Sequence, residues 1–381
     1  MIPYGKHTLF PDDIEAVKHV LESSFLTQGD QVPRFEQAIC QYTGAEYAVA
    51  CNSGTSGLHI ACLAAGVSRG DTVWTVPNSF AASANCALYC GASVDFVDID
   101  PATRNICISA LTDKLHLALA ENKIPKVIIA VHFAGSSCDM AAISAIVEPY
   151  GITLIEDAAH ALGGSDSDGN RVGLCKYSAM TVLSFHPVKS ITSAEGGMVL
   201  TNDEETARQL RRYASHGISR DPQLIGAEHA DEPWFYAQFE LGFNYRLSDL
   251  HAALGLSQLK HLDDFVARRL ALVREYDKEL TDLPVIKPIL DENSAWHLYM
   301  IELNRHDRKT VFTQLRERGI GVNVHYIPIH LHPYYQKLGF APGQFPHAEH
   351  YYERALTLPL FPAMSADNQQ EVVKQLREVL L

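Results

Sequence analysis

Basic residues are in short supply: Lys and Arg number 31 against 45 Asp and Glu, a formal net charge of −14 over 381 residues. A nucleic-acid binder needs a basic stripe to displace counterions, and an anionic membrane surface attracts the same sign, so neither partner is expected. Long apolar runs are missing too. Val127–Ala134 and Ile152–Ile155 fall far short of the ~20 residues of a spanning helix. The N-terminal stretch MIPYGKHTLFPDDIEAVKHV has no basic segment followed by an apolar one, so no signal peptide is expected. No C-x-x-C pair occurs among the eight cysteines, all of which precede residue 176. They read as reduced thiols packed as small hydrophobes in a cytoplasmic protein. Neither G-x-x-x-x-G-K-[ST] nor G-x-G-x-x-G is present, which removes P-loop NTPases and counts against a Rossmann dehydrogenase. His325, His330 and His332 share a Pro-containing stretch without a local acidic or Cys partner, so no metal site is expected.

What is present suits a globular chain, with 47% hydrophobic and 20% charged residues. From about residue 45 to 200, short β-rich runs alternate with helix-like segments. The runs are Tyr47–Cys51, Thr72–Val76, Val94–Val97, Val127–Val131, Thr153–Ile155, Met180–Ser184 and Met198–Leu200. Between them Thr55–Ala65, Ser79–Tyr89 and Met140–Tyr150 carry helical apolar spacing. Nearly continuous apolar strands alternating with helices predict an α/β fold, a mostly parallel sheet covered on both faces. One amphipathic helix is expected over Ser248–Leu280, ending near Pro284. Beyond it a smaller α+β unit is expected, with strands at His297–Glu302 and Gly321–His325 and helices at Arg308–Arg318 and from Ala366. The expected division is a large domain over residues 1–250 and a linker helix plus small domain over 251–381.

Three segments carry chemistry. Ser53-Gly54-Thr55-Ser56-Gly57 follows a strand and opens a helix, so free N–H groups and hydroxyls there favour an anion such as phosphate. Taken alone it fits an ordinary strand-to-helix turn equally well. Ile155-Glu156-Asp157-Ala158-Ala159-His160 runs an apolar strand into carboxylates and a histidine, at the sheet edge where ligands of such folds bind. A carboxylate buried there needs a cationic partner; a cap for the following turn is the plainer alternative. Lys189 lies between an apolar strand and the Gly-rich Glu195-Gly196-Gly197 turn. Desolvation would make it a nucleophile toward carbonyl carbon, although a surface lysine is the commoner case. Together the three suit pyridoxal phosphate chemistry, with a Schiff-base lysine, an aspartate facing a pyridinium nitrogen and a helix end receiving a phosphate. Their order resembles the large domain of fold-type I pyridoxal phosphate enzymes.

From about Tyr4 onward the sequence resembles the DegT/DnrJ/EryC1/StrS family of nucleotide-sugar aminotransferases. The resemblance rests on Leu26-Thr27-Gln28-Gly29, Asn52-Ser53-Gly54-Thr55-Ser56, Glu156-Asp157-Ala158-Ala159-His160, Ser184-Phe185-His186, Gly242-Phe243-Asn244-Tyr245-Arg246 and His325-Tyr326-Ile327-Pro328. It implies that Lys189 forms the Schiff base and shuttles the proton, with Asp157 on the pyridinium nitrogen. It also implies that Thr55, Ser56 and Ser184 hold the phosphate of pyridoxal 5'-phosphate, that Gly54 lies between the cofactor and the sugar-nucleotide pocket, that Phe80 stacks on the cofactor's ring and that His160 lies near the ring or its hydroxyl. Asn244 would reach the phosphate from a neighbouring subunit, which implies a homodimer with shared active sites. Tyr4, Ser24, Phe25, Leu26, Thr27, His325, Tyr326, Ile327 and Pro328 match positions lining the sugar-nucleotide pocket. The implied reaction carries an amino group from L-glutamate to a UDP-4-keto sugar. Retention of Lys189 favours transamination over the family's dehydratase branch, in which histidine replaces that lysine. The alternatives are the same reaction on another UDP- or dTDP-linked keto sugar and, more remotely, a non-enzymatic cofactor-binding regulator. Ala194 and Gly57 depart from the family pattern, standing where glycine and alanine respectively are common.

Overall fold

The computed structural model describes residues 1–226, 229 and 231–381. Helices α1 (Pro11–Leu21) and α2 (Gln31–Thr43) precede a strand–helix alternation. Strands β1 (Tyr47–Cys51), β2 (Thr72–Thr75), β3 (Ser93–Phe96) and β4 (Val127–Val131) are followed by α3 (Gly54–Ala64), α4 (Ala82–Tyr89), α5 (Ile108–Ala120) and α6 (Met140–Val147) respectively. Then come β5 (Thr153–Asp157), β6 (Met180–Ser184), β7 (Gly197–Thr201) and α7 (Glu204–Ala214).

These seven strands form one sheet in the order β1-β7-β6-β5-β4-β2-β3. All neighbours are parallel except β7, which runs antiparallel to both β1 and β6. Every residue of β4 and β7 is buried, as covering a sheet on both faces requires. The expected mixed, mostly parallel sheet flanked by helices is what the chain forms. Its reversed strand has a local reason. The chain leaves β6, makes the excursion carrying Lys189, and re-enters beside β6 through hydrogen bonds at Phe185, whose N–H donates to the Gly196 carbonyl (2.9 Å) and whose carbonyl accepts the Ser193 N–H (2.9 Å).

After the short pair β8 (Ile218–Ser219) and β9 (Ala237–Gln238), which brackets α8 (Pro222–Ile225), the expected single helix over Ser248–Leu280 is two: α9 (Asp249–Leu259) and α10 (Leu262–Glu279). The Lys260 and His261 N–H groups bond the carbonyls three residues back, at Ser257 and Gln258, closing a tight turn. The His261 ring then packs on Phe10 with centroids 4.3 Å apart. Apolar spacing continues through the break, so periodicity does not reveal it.

A second sheet joins β10 (Val285–Ile286), β11 (Tyr299–Leu303) and β12 (Ala355–Leu358), all antiparallel. Around it lie α11 (Arg308–Glu317), α12 (Pro333–Gln336), α13 (Pro346–Arg354) and α14 (Ala366–Leu380). The strand expected at Gly321–His325 reduces to a single bridge between Asn323 and Thr357. The Asn323 side chain accepts the next N–H, at Val324 (2.9 Å), and diverts it from a ladder.

Packing links the two parts. Leu298, Met300, Ile329 and Tyr351 join the main sheet's core, whereas Leu272, Tyr276, Ile301 and Leu376 form a separate core around the second sheet. A buried ion group also spans them. Arg104, before α5, and Arg354, ending α13, both donate to Glu302 on β11. No helix among the described residues is long and apolar enough to cross a membrane.

Candidate active site

The carboxyl ends of β4, β5 and β6 and the segments that follow β1 and β2 converge on a cavity of about 450 Å³, closed from the other side by residues 323–326. Its first wall is the N-terminus of α3. The Ser53 hydroxyl caps the helix by accepting the Ser56 N–H (3.1 Å), while Thr55 and Gly54 line the cavity. Helix geometry leaves the N–H groups of Gly54 and Thr55 without intrahelical partners and adds a positive end, a combination suited to an anion. Gly197 permits this placement: a Cβ there would lie 2.4 Å from the Ser53 carbonyl and 2.6 Å from the Gly54 nitrogen. Ser184, ending β6, supplies a further hydroxyl.

Asp157, the last residue of β5, is buried. Its Oδ1 accepts the Ala159 N–H (3.1 Å) and its Oδ2 accepts the Ser83 hydroxyl (2.6 Å). Ser83 in turn bonds Ser79 (2.8 Å). The cap expected as the plainer reading is therefore real, yet it leaves the carboxylate facing the cavity.

Lys189 enters the same space from the excursion between β6 and β7. Burial pushes its amine down to about 8, although the Asp157 carboxylate pulls the other way. Such an amine is a competent nucleophile near neutral pH. Ala194, within that excursion, has φ +65°, in the left-handed region. A glycine at this position would relieve that strain. Ala194→Gly is expected to raise stability by about 0.5–1 kcal/mol in urea denaturation of the cofactor-free protein. Gly57 has the opposite logic, since a Cβ there would come within 2.9 Å of Val182.

His160 and His325 are both buried in the wall. Burial, then Lys189, holds His325 down to about 3, and the same causes with His325 hold His160 well below the usual range. His325 Nδ1 lies 2.8 Å from the Thr357 hydroxyl, while His330 pairs with Glu349 at 2.9 Å. The exposed Phe80 stands at the rim, 6.2 Å from the Tyr326 ring.

Of the residues expected from sequence, Tyr4, Gly54, Thr55, Phe80, Asp157 and His160 line the cavity, as do Ser184, Lys189, His325 and Tyr326. Ser56 does not: its hydroxyl turns to the Asn52 side chain (2.5 Å). Ser24, Phe25, Leu26 and Thr27 are exposed just beyond α1, outside their own chain's cavity. Ile327 and Pro328 lie past the lining segment, with Ile327 exposed and Pro328 buried. Asn244 is exposed, its carbonyl within 3.4 Å of the Asn52 amide. Sequence reading missed Ser83, Glu195, Asn323 and His297. Ser79 and Ser83 at helical i,i+4 spacing were a faint signal, whereas nothing local singles out His297.

A model of the DegT/DnrJ/EryC1/StrS aminotransferase family matches residues 8–377. The chain belongs to that family. It is 37% identical over 388 aligned positions to the spore coat polysaccharide biosynthesis protein SpsC of Bacillus subtilis, covering all of this chain and 97% of that one. Among solved structures it superposes on Helicobacter pylori PseC, an aminotransferase involved in pseudaminic acid biosynthesis, with TM-score 0.90 and 30% identity over 100% and 99% of the two chains. It is similar also to the putative sugar aminotransferase Spr1654 of Streptococcus pneumoniae in its PMP form, at TM-score 0.90 and 26% identity over 100% and 99%. The chain is a DegT/DnrJ/EryC1/StrS sugar aminotransferase dependent on pyridoxal phosphate.

Proposed function

We propose that this aminotransferase carries an amino group from L-glutamate to C4 of UDP-2-acetamido-2,6-dideoxy-β-L-arabino-hex-4-ulose. The product is UDP-4-amino-4,6-dideoxy-N-acetyl-β-L-altrosamine, in pseudaminic acid biosynthesis. The observation that carries the reading is the similarity to PseC along the whole chain. A second reading, the same transamination on another UDP- or dTDP-4-keto sugar, is favoured by the higher identity to SpsC. The eight unpaired cysteines support residence in a reducing compartment such as the cytoplasm.

The cavity suits the cofactor: an anion-favouring helix end, a buried carboxylate with room for one more donor, and an amine of lowered basicity share one space. Thr55, Ser184 and the α3 N–H groups would hold the phosphate, Asp157 the ring nitrogen, and Phe80 one ring face. Pyridoxal phosphate supplies, when bound, the electron sink that lets an amino group leave one carbon and join another. Lys189, whose amine reaches the same cavity, would hold the cofactor and move the proton taken from the donor's Cα. Ser83 and the Ala159 N–H hold the Asp157 carboxylate in place. His325 and Tyr4 flank the entrance where the sugar would lie. Asn244 and residues 24–27, exposed outside their own cavity, support a homodimer in which a second copy completes each site. The exposed Trp234 and Leu241 support such an interface too.

The test is purified protein with L-glutamate and a panel of UDP- and dTDP-4-keto sugars, with product configuration read by NMR. Turnover of the L-arabino-configured sugar with the amine at C4 is expected. Turnover restricted to a D-xylo isomer moves the enzyme to a different product.

A further inference from the structure

His297 is buried, lines the cavity, and has an Nδ1 with no hydrogen-bond partner among the described residues. Its backbone is pinned at both ends. The His297 N–H donates to the Ala134 carbonyl (2.8 Å), and its own carbonyl accepts from Arg269 Nη1 (3.2 Å). Arg269 is itself buried and gives the same nitrogen to the Leu360 carbonyl (3.0 Å).

The ring so placed lies 4.4 Å from the His160 ring, tilted by 42°. Ala134 serves both histidines, because its N–H also donates to His160 Nδ1 (3.3 Å). Two non-glycine residues here adopt left-handed backbone, Ala134 at φ +59° and Trp296 at φ +47°. Strain of this kind persists where surrounding structure enforces it and concentrates at functional sites.

The Ala134 bond decides where the His160 proton sits. A ring nitrogen that accepts an N–H carries no proton, so a neutral His160 is protonated at Nε2. That nitrogen is 3.2 Å from the Tyr326 hydroxyl. Tyr326 Oη therefore accepts from His160, and its own proton is free to point into the cavity.

We propose that His297 is a positioning residue for transamination: with Ala134 it holds His160 in the Nε2-protonated form, so that Tyr326 presents its hydroxyl to the ligand as a donor. The His297 ring packs on the His160 ring and so fixes its plane, which keeps Nδ1 turned to the Ala134 N–H. The other titratable or charged groups around the pair are Lys189 and Asp157 across the cavity, His325 and Tyr326 on the closing segment, and Arg269 behind His297. Burial raises the Tyr326 hydroxyl above its ordinary value, so it keeps the proton it would donate.

The inference rests on the proposed cofactor site, but its test does not need the sugar. In cofactor-free protein labelled with ¹⁵N-histidine, His160 is expected to show a bare Nδ1 and a protonated Nε2, unchanged between about pH 5 and 8. His297→Leu is expected to free the His160 ring to turn off the Ala134 N–H, mix its tautomers and lower kcat on the order of 10-fold with KM for the amino donor unchanged. His297→Phe, which keeps a ring in place, is expected to restore most of the loss. If His297→Leu does not fold, His297→Asn, which is polar and smaller, takes its place with the same expected mixing of His160 tautomers. A proton on Nδ1 of wild-type His160 overturns the proposal, as does a His297→Leu protein that is less stable but keeps the wild-type His160 signals and pH profile. Lack of turnover on every keto sugar, with the expected tautomer intact, sinks the proposed substrate and leaves the histidine arrangement standing.

Discussion

Lys189→Ala should lose transamination on the order of 10⁴-fold or more, and the same change should stabilise the cofactor-free protein. Both effects come from one property of the amine. Burial holds it at about 8 against an ordinary 10.5. Between those values the unfolded chain binds more protons than the folded one, so stability rises with pH across that window. Below about pH 8 the folded protein carries the full penalty of a buried ammonium, at most about 3 kcal/mol from the size of the shift. Removing the amine removes that penalty at neutral pH and flattens the rise above pH 8. Urea denaturation of both proteins without cofactor, at pH 7 and pH 10, measures it. An alanine variant that still transaminates, or one whose stability keeps the wild-type pH dependence, contradicts the role given to Lys189. Cofactor retention after borohydride reduction, read by mass spectrometry, should be lost in the variant.

Glu302→Ala should cost about 3–5 kcal/mol, the largest stability loss expected of a single change outside the cavity. Glu302 is 3% exposed and receives Arg104, 5% exposed, together with Arg354. Arg354 can turn to solvent when the carboxylate goes. Arg104 cannot, being packed in a turn at φ +64° with the Tyr351 ring 5.9 Å away. Its charge would stay buried and uncompensated. Replacing both partners, as in Arg104→Met with Glu302→Leu, should recover much of the loss, since the penalty belongs to the orphaned charge rather than to the missing attraction. Thermal melts of the two singles and the double settle the point. A double variant as unstable as Glu302→Ala would mean that packing, not charge, explains the loss. Because the group spans the main sheet's periphery and the second sheet, Glu302→Ala should also loosen the closing segment 323–326 and raise KM more than it lowers kcat.

The sheet was legible in the sequence because its strands are buried on both faces and read as uninterrupted apolar runs. Lys189, Asp157 and Thr55 were legible for a related reason. Each sits directly after or between such runs, so the position of the sheet edge told where they had to lie. The break between α9 and α10 was not legible, because the apolar face continues through Lys260 and His261 and only the packing of His261 on Phe10 marks it. The strand expected at Gly321–His325 failed because Asn323 bonds its own neighbour, a competition that alternation of residue types does not reveal.

By itself the sequence determined the chemistry: a lysine, an aspartate and a helix start in a fixed order along an α/β chain, enough to resemble one family of aminotransferases. The tertiary structure alone decided which groups support that chemistry. Ser83 meets Asp157 across 74 residues of chain, and His297 meets His160 across 137 (297 − 160). Neither pair leaves a local pattern, because neither side chain belongs to a periodic face; each is brought to its partner by the packing of one element on another. Apolar periodicity encodes which face of an element is buried, whereas the partner that a buried polar group finds there depends on the fold as a whole.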